Sequence, residues 1–340
     1  MNQLLLVPGT QGNSCFPGGS SARDDRIQVL RAIAIIAVVL IHTFPLGMYQ
    51  GLGRPFLNFS VALFIFLSGY LTREQGGHWL RFYIRRITRV LVPYIIWSVV
   101  YTLPGDDWFL YVYNLLTTKS VGTLYYLSVY VQLVLLTPLL FKLAKSAYSW
   151  AGWVITPVSM LIFKYSGWFF GVEFHKHIEL VASISCQSWL AYYYMGIIIR
   201  GKEESICLSL KKIAAFVAIA LCFQAAEGYA LLLKAGELVC GTQIKLSALI
   251  TNIGILMLAV CYIKSRMSSP VHSILVLIGN YSFGIYLVHP LLIKCLSWMS
   301  LYQYLPYGIN TTLVLGGSLL LVACSSKVCG PRVSSWFGFQ

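Results

Sequence analysis

Acidic residues are scarce in this chain. Eleven Asp and Glu stand among 340 residues, against twenty-five Lys and Arg, and charged side chains of all kinds make up 11%. A soluble domain carries about 25%, so a soluble globular fold is excluded. No CxxC pair occurs among the nine cysteines, which are odd in number and lie mostly inside apolar runs. There Cys acts as a small hydrophobe, and neither a metal site nor a disulfide framework is expected. No basic stretch precedes the short apolar patch from Leu4 to Val7, so the Gly/Ser/Pro-rich first 24 residues do not read as a signal peptide. They are expected to form a disordered tail ahead of one domain over 25–340. No internal repeat is visible.

What the chain has in abundance is apolar length. Hydrophobic residues make up 58% and mean hydropathy is +0.73. A membrane helix needs about 20 apolar residues, and ten such runs are present: 27–45, 56–72, 84–103, 123–141, 149–170, 180–199, 211–233, 245–263, 273–294 and 307–325. The seventh is the weakest, interrupted by Gln224 and Glu227. The expected fold class is therefore an all-α integral membrane bundle of about ten transmembrane helices.

The net charge of +14 does not point to nucleic acid, because the basic residues sit in short loops between apolar runs. Counted loop by loop, eighteen of the twenty-five fall on one side of the bilayer. The other seven are Arg54, Lys119, Lys164, Lys176, Lys234, Lys245 and Lys294. The positive-inside rule makes the eighteen-residue side cytoplasmic, which puts both termini inside.

Two clusters of polar groups inside these runs need a reason. In "RAIAIIAVVLIHTF" (31–44), ten residues separate Arg31 from His42. On a helix the two lie about 16 Å apart along the axis and within about 20° of one face. Ionisable residues inside a membrane face cavities and mark function, and histidine titrates in the range that suits proton transfer. The second cluster is "RFYIRRITRVLVPYIIW" (81–97), where Arg81, Arg85, Arg86 and Arg89 enter the third helix. Topology alone does not require four arginines in nine residues. The planar guanidinium fork binds phosphate bidentately, so Arg31 and this cluster together form a phosphate-binding mouth. A polyphosphate at the mouth, with an arm reaching about 16 Å inward to a histidine, has the shape of coenzyme A. A nucleotide-sugar or a lipid phosphate fits the same mouth.

The order of these segments resembles the acyltransferase 3 family of multi-pass membrane O-acyltransferases. "RIQVLRAIAIIAVVLIHTF" (26–44) is similar to its first helix, "VALFIFLSGYLT" (61–72) to its second, "RRITRVLVPYIIW" (85–97) to its third and "GTLYYLSVYVQLVLLTPLL" (122–140) to its fourth. "YYYMGIII" (192–199) and "IGNYSFGIYLVHPLL" (278–292) are similar to later segments. Two positions depart from the family pattern: Gln28 stands where an Asp is common, and Tyr125 or Tyr126 where a Trp is usual.

The resemblance implies transfer of an acyl group, usually acetyl, from cytoplasmic acyl-CoA to a hydroxyl of an envelope carbohydrate such as O-antigen or exopolysaccharide. It also implies a bacterial plasma (inner) membrane location. His42 is the implied essential histidine, as base or acyl carrier, with Arg31, Arg86 and Arg89 near the coenzyme A and Arg85 at the same mouth. Ser68 and Tyr70 are candidate donors to the thioester oxygen, and Glu173 a candidate contact for the sugar. No metal and no nucleic-acid partner is expected; the partners are acyl-CoA, the carbohydrate acceptor and the lipid bilayer. His289, in "YLVHP", reads first as a packing residue. The rival is a transporter or flippase of an anionic envelope lipid or glycan precursor, which uses a basic mouth but gives His42 no chemistry.

Overall fold

The computed structural model describes residues 24–45, 51–102, 108–117, 122–170, 185–206, 209–235, 240–264, 272–299 and 304–339. No β-strand occurs among the described residues. The helices are α1 (Asp25–Thr43), α2 (Phe59–Tyr70), α3 (Trp79–Thr102), α4 (Trp108–Thr117), α5 (Tyr125–Ala144), α6 (Ala151–Phe170), α7 (Leu190–Ile199), α8 (Leu210–Ala235), α9 (Leu246–Lys264), α10 (His272–Asn280), α11 (Ser282–Ser297), α12 (Tyr307–Val328) and α13 (Gly330–Trp336). Five of them, α1, α5, α8, α9 and α12, are long and apolar enough to cross a membrane; α10 and α11 together make a sixth if the bent pair is one span.

α1 is the axis of the assembly. Asp24 caps it, its carboxylate accepting from the Arg26 backbone N–H at 3.0 Å. Eleven of its nineteen residues are buried, on every face, as expected of a helix that is apolar all round. α2, α10, α11 and α12 pack around it. The crossing with α10 is close: a Cβ added at Gly279 would lie 1.9 Å from the Gln28 carbonyl oxygen. Small residues let membrane helices approach in this way. Gln28, where the resemblance leads one to look for an acid, is buried under that crossing.

Two differences from the sequence expectation have physical causes. The run 273–294, read as one span, is broken at Tyr281 into α10 and α11, which meet at 76°. Gly279, Asn280 and Ser282 are weak helix formers in sequence, and the break turns Asn280, Ser282 and Phe283 toward a cavity. The seventh run is not interrupted: α8 passes unbroken through Gln224 and Glu227. The Tyr165 hydroxyl of α6 and the Ser247 hydroxyl of α9 both donate to the Glu227 carboxylate. The Lys245 ammonium donates to the Gln224 carbonyl at 3.4 Å. For Glu227, these partners from neighbouring helices remove the cost of burial; the buried Gln224 side chain finds no partner among the described residues.

Candidate active site

The first turns of α3 carry Arg86 and Arg89 three residues apart, so both guanidiniums sit on one side of that helix. Arg31 approaches from α1. The three arginines line one cavity of about 340 Å³, within the size range of small-ligand pockets. Ser68 of α2, Tyr126 and Tyr130 of α5 and Tyr286 of α11 complete its inner wall. No carboxylate is among the lining residues, so an entering anion meets no competing acid.

Each arginine is held differently. Arg86 is partly buried; it donates to the Leu71 carbonyl at 3.2 Å, lies over the Phe82 ring at 5.5 Å and hydrogen-bonds the Tyr130 hydroxyl. Arg31 is half-buried and interacts electrostatically with Tyr126. Arg89 is exposed at the rim. The Ser68 hydroxyl is hydrogen-bonded to Tyr126.

The cavity's far wall leads to the histidines. The Tyr286 hydroxyl donates to the Thr123 carbonyl, which fixes the ring. That ring lies 6.0 Å from the imidazole of His289, and His289 lies 5.3 Å from the imidazole of His42. His42 is exposed and His289 fully buried. The Nδ1 of His289 is 3.1 Å from the Ile285 carbonyl. A carbonyl only accepts, so Nδ1 carries the hydrogen, and Nε2 has no partner among the described residues.

The backbone around His289 is opened by its neighbour. Pro290 has no N–H, and a side chain from α3 enters the helix just beyond it. The Tyr101 hydroxyl donates to the Leu287 carbonyl at 2.6 Å and accepts from the Leu291 N–H at 3.2 Å. It thus takes the place of one i to i−4 bond. Tyr101→Phe removes that splice, and unmet buried polar groups cost about 1–3 kcal/mol each. The expected result is a loss of turnover with ligand binding at the arginine cavity little changed, because the effect falls on His289 and not on the arginines. Steady-state kinetics of the purified variant checks the split.

The remaining sequence candidates are placed as follows. Arg85 lines a second, adjoining pocket rather than the first. Tyr70 is turned away from the cavity: its carbonyl accepts from Arg200, its ring lies under that guanidinium at 5.8 Å, and its hydroxyl pairs with Glu203. Glu173 lies outside the described residues. Sequence reading missed Tyr286 and Tyr101, ordinary aromatics in apolar runs. It also missed Ser335 and Gly338, which reach the cavity wall from the segment after α12.

A model of the acyltransferase domain family matches residues 24–326. The chain belongs to the acyltransferase 3 family. No curated protein and no solved structure matches it. The family and the apolar helices together make it a multi-pass membrane acyltransferase. In this acyltransferase 3 protein the matched segment contains the three arginines, Ser68, Tyr286 and both histidines. Ser335 and Gly338 lie beyond it.

Proposed function

We propose that the protein moves an acetyl group from cytoplasmic acetyl-CoA to a hydroxyl of an envelope carbohydrate such as O-antigen or exopolysaccharide. The observation that carries this reading is the joined site: a cavity lined by Arg31, Arg86 and Arg89 ends on Tyr286, one ring from His289 and two from His42. The guanidiniums hold the donor's phosphates, and the arm runs along α1 to the histidines.

A sugar hydroxyl is a weak nucleophile until a base takes its proton, a service worth typically 10²–10⁴-fold. In direct transfer the acceptor oxygen attacks the thioester carbonyl carbon as its proton passes to His42. The C–S bond breaks, and the coenzyme A sulfur leaves with that proton. With His42 as carrier, its nitrogen attacks the thioester carbonyl carbon and the C–S bond breaks, releasing the coenzyme A thiolate; the acceptor hydroxyl then attacks the acyl-imidazole, the N–C bond breaks, and the hydroxyl proton ends on the thiolate, which leaves as free thiol. Ser68, held by Tyr126 in the cavity wall, is a donor for the developing oxyanion. Purified protein given acetyl-CoA and the glycan is expected to release free coenzyme A thiol in proportion to glycan acetylated. Absence of acceptor-dependent thiol release refutes the reading and favours a transporter.

The fold is read as ten spans with both termini cytoplasmic, in the bacterial inner membrane. The eighteen-to-seven division of basic residues supports this orientation. Reporters fused near residue 174 are expected to register the periplasm, and near residue 204 the cytoplasm. The opposite pattern reverses donor and acceptor sides.

A further inference from the structure

Beside the donor cavity lies a second pocket of about 340 Å³, which shares Leu71 and Arg86 with the first. Its wall is the loop after α2 and the first two turns of α3. Arg73, His78, Arg81 and Arg85 line it, and all four are exposed. With Arg86 on the border, four guanidiniums and one imidazole surround a small volume, and no carboxylate lines it. The neighbouring Glu74 is engaged with Lys145 at 2.6 Å. Arg81 and Arg85, at i and i+4, repel one another on α3. The pocket also lies at the N-terminal end of a 24-residue helix, where free backbone N–H groups and the helix dipole favour negative charge. All these features ask for a compact, multiply charged anion.

We propose that this second pocket binds the 3′-phosphate of the donor's nucleotide, while the first takes its diphosphate and acyl arm. The inference rests on the coenzyme A reading of the first pocket. A phosphomonoester carries close to two negative charges near neutral pH, since its second pKa is about 6, more than a phosphodiester carries. One ribose separates the two phosphate groups of the donor, and here the two pockets adjoin across Leu71 and Arg86. The first pocket then reads what every nucleotide diphosphate carries, and the second distinguishes coenzyme A from other nucleotides. An anionic lipid headgroup has the same phosphate chemistry and is the competing source.

The test compares acetyl-CoA with 3′-dephospho-acetyl-CoA as donors, in nanodiscs of zwitterionic lipid alone, following thiol release. Wild-type protein is expected to show a KM about 10- to 150-fold higher for the dephospho donor, the loss of one charge-assisted set of hydrogen bonds. In the Arg81→Gln, Arg85→Gln double variant, that ratio is expected to fall toward one. Equal KM values in wild type overturn the proposal, and this arm needs no variant to fold. A ratio preserved in the double variant overturns it too. So does activity that requires anionic lipid and ignores the 3′-phosphate, which assigns the pocket to a headgroup. Thiol release from neither donor brings down the donor reading itself, and this inference with it.

Discussion

Acyl transfer falls by about 10²–10⁴-fold when His42 is replaced by alanine, while membrane insertion and acyl-CoA binding persist. The loss is confined to chemistry because the arginine cavity is lined by other residues. If His42 is the base, wild-type activity declines as pH falls and the imidazole gains a proton. If it is the carrier, acetyl-CoA alone leaves a trappable acetyl group on the wild type and none on the variant. A His42→Ala protein that acetylates its glycan at the wild-type rate refutes the assignment and turns attention to His289, whose ring is 5.3 Å away.

The next largest effect is expected at the arginines. Arg89→Ala removes an exposed guanidinium from the cavity rim. Its cost is that of a charge-assisted hydrogen bond, about 1.5–3 kcal/mol, or about 10- to 150-fold in donor affinity. Arg86→Ala is expected to cost at least as much. That guanidinium also donates to the Leu71 carbonyl and stacks on Phe82, so part of its loss reshapes the wall. Lysine restores the charge but not the planar fork, and rescue at either position is expected to be partial. Binding of coenzyme A to the variants in detergent or nanodiscs gives the readout. Unchanged affinity in both alanine variants moves the phosphate site elsewhere.

Helical periodicity makes the common face of Arg31 and His42 legible in sequence, and the crowding of arginines at the start of α3 is plain from composition. What joins them is not. Hydropathy reads 273–294 as one apolar run, and the weak helix formers Gly279, Asn280 and Ser282 are the one local sign of the 76° turn at Tyr281. That turn brings Ser282 and Tyr286 to the cavity and sets His289 beside His42. His289 is fully buried, as its packing reading expects; that it packs beside His42 is not legible, since one histidine in an apolar helix says nothing about its neighbour on another. Tyr101 was invisible because its role depends on a gap in a different helix. The Gln224–Glu227 interruption works in the other direction: polar residues lower hydropathy, but Tyr165 and Ser247 supply Glu227 with partners that no local window contains.

On the proposed function, the arginine cavity and the histidine pair serve one donor molecule. The most direct measurement is a cryo-EM structure of the protein with a thioether analogue of acetyl-CoA, which cannot give up its acyl group. Phosphate density is expected among Arg31, Arg86 and Arg89, with an arm passing Tyr286 so that the acyl end lies against His42 and His289. Density for the analogue away from these arginines, or an arm whose acyl end points away from both histidines, would contradict it.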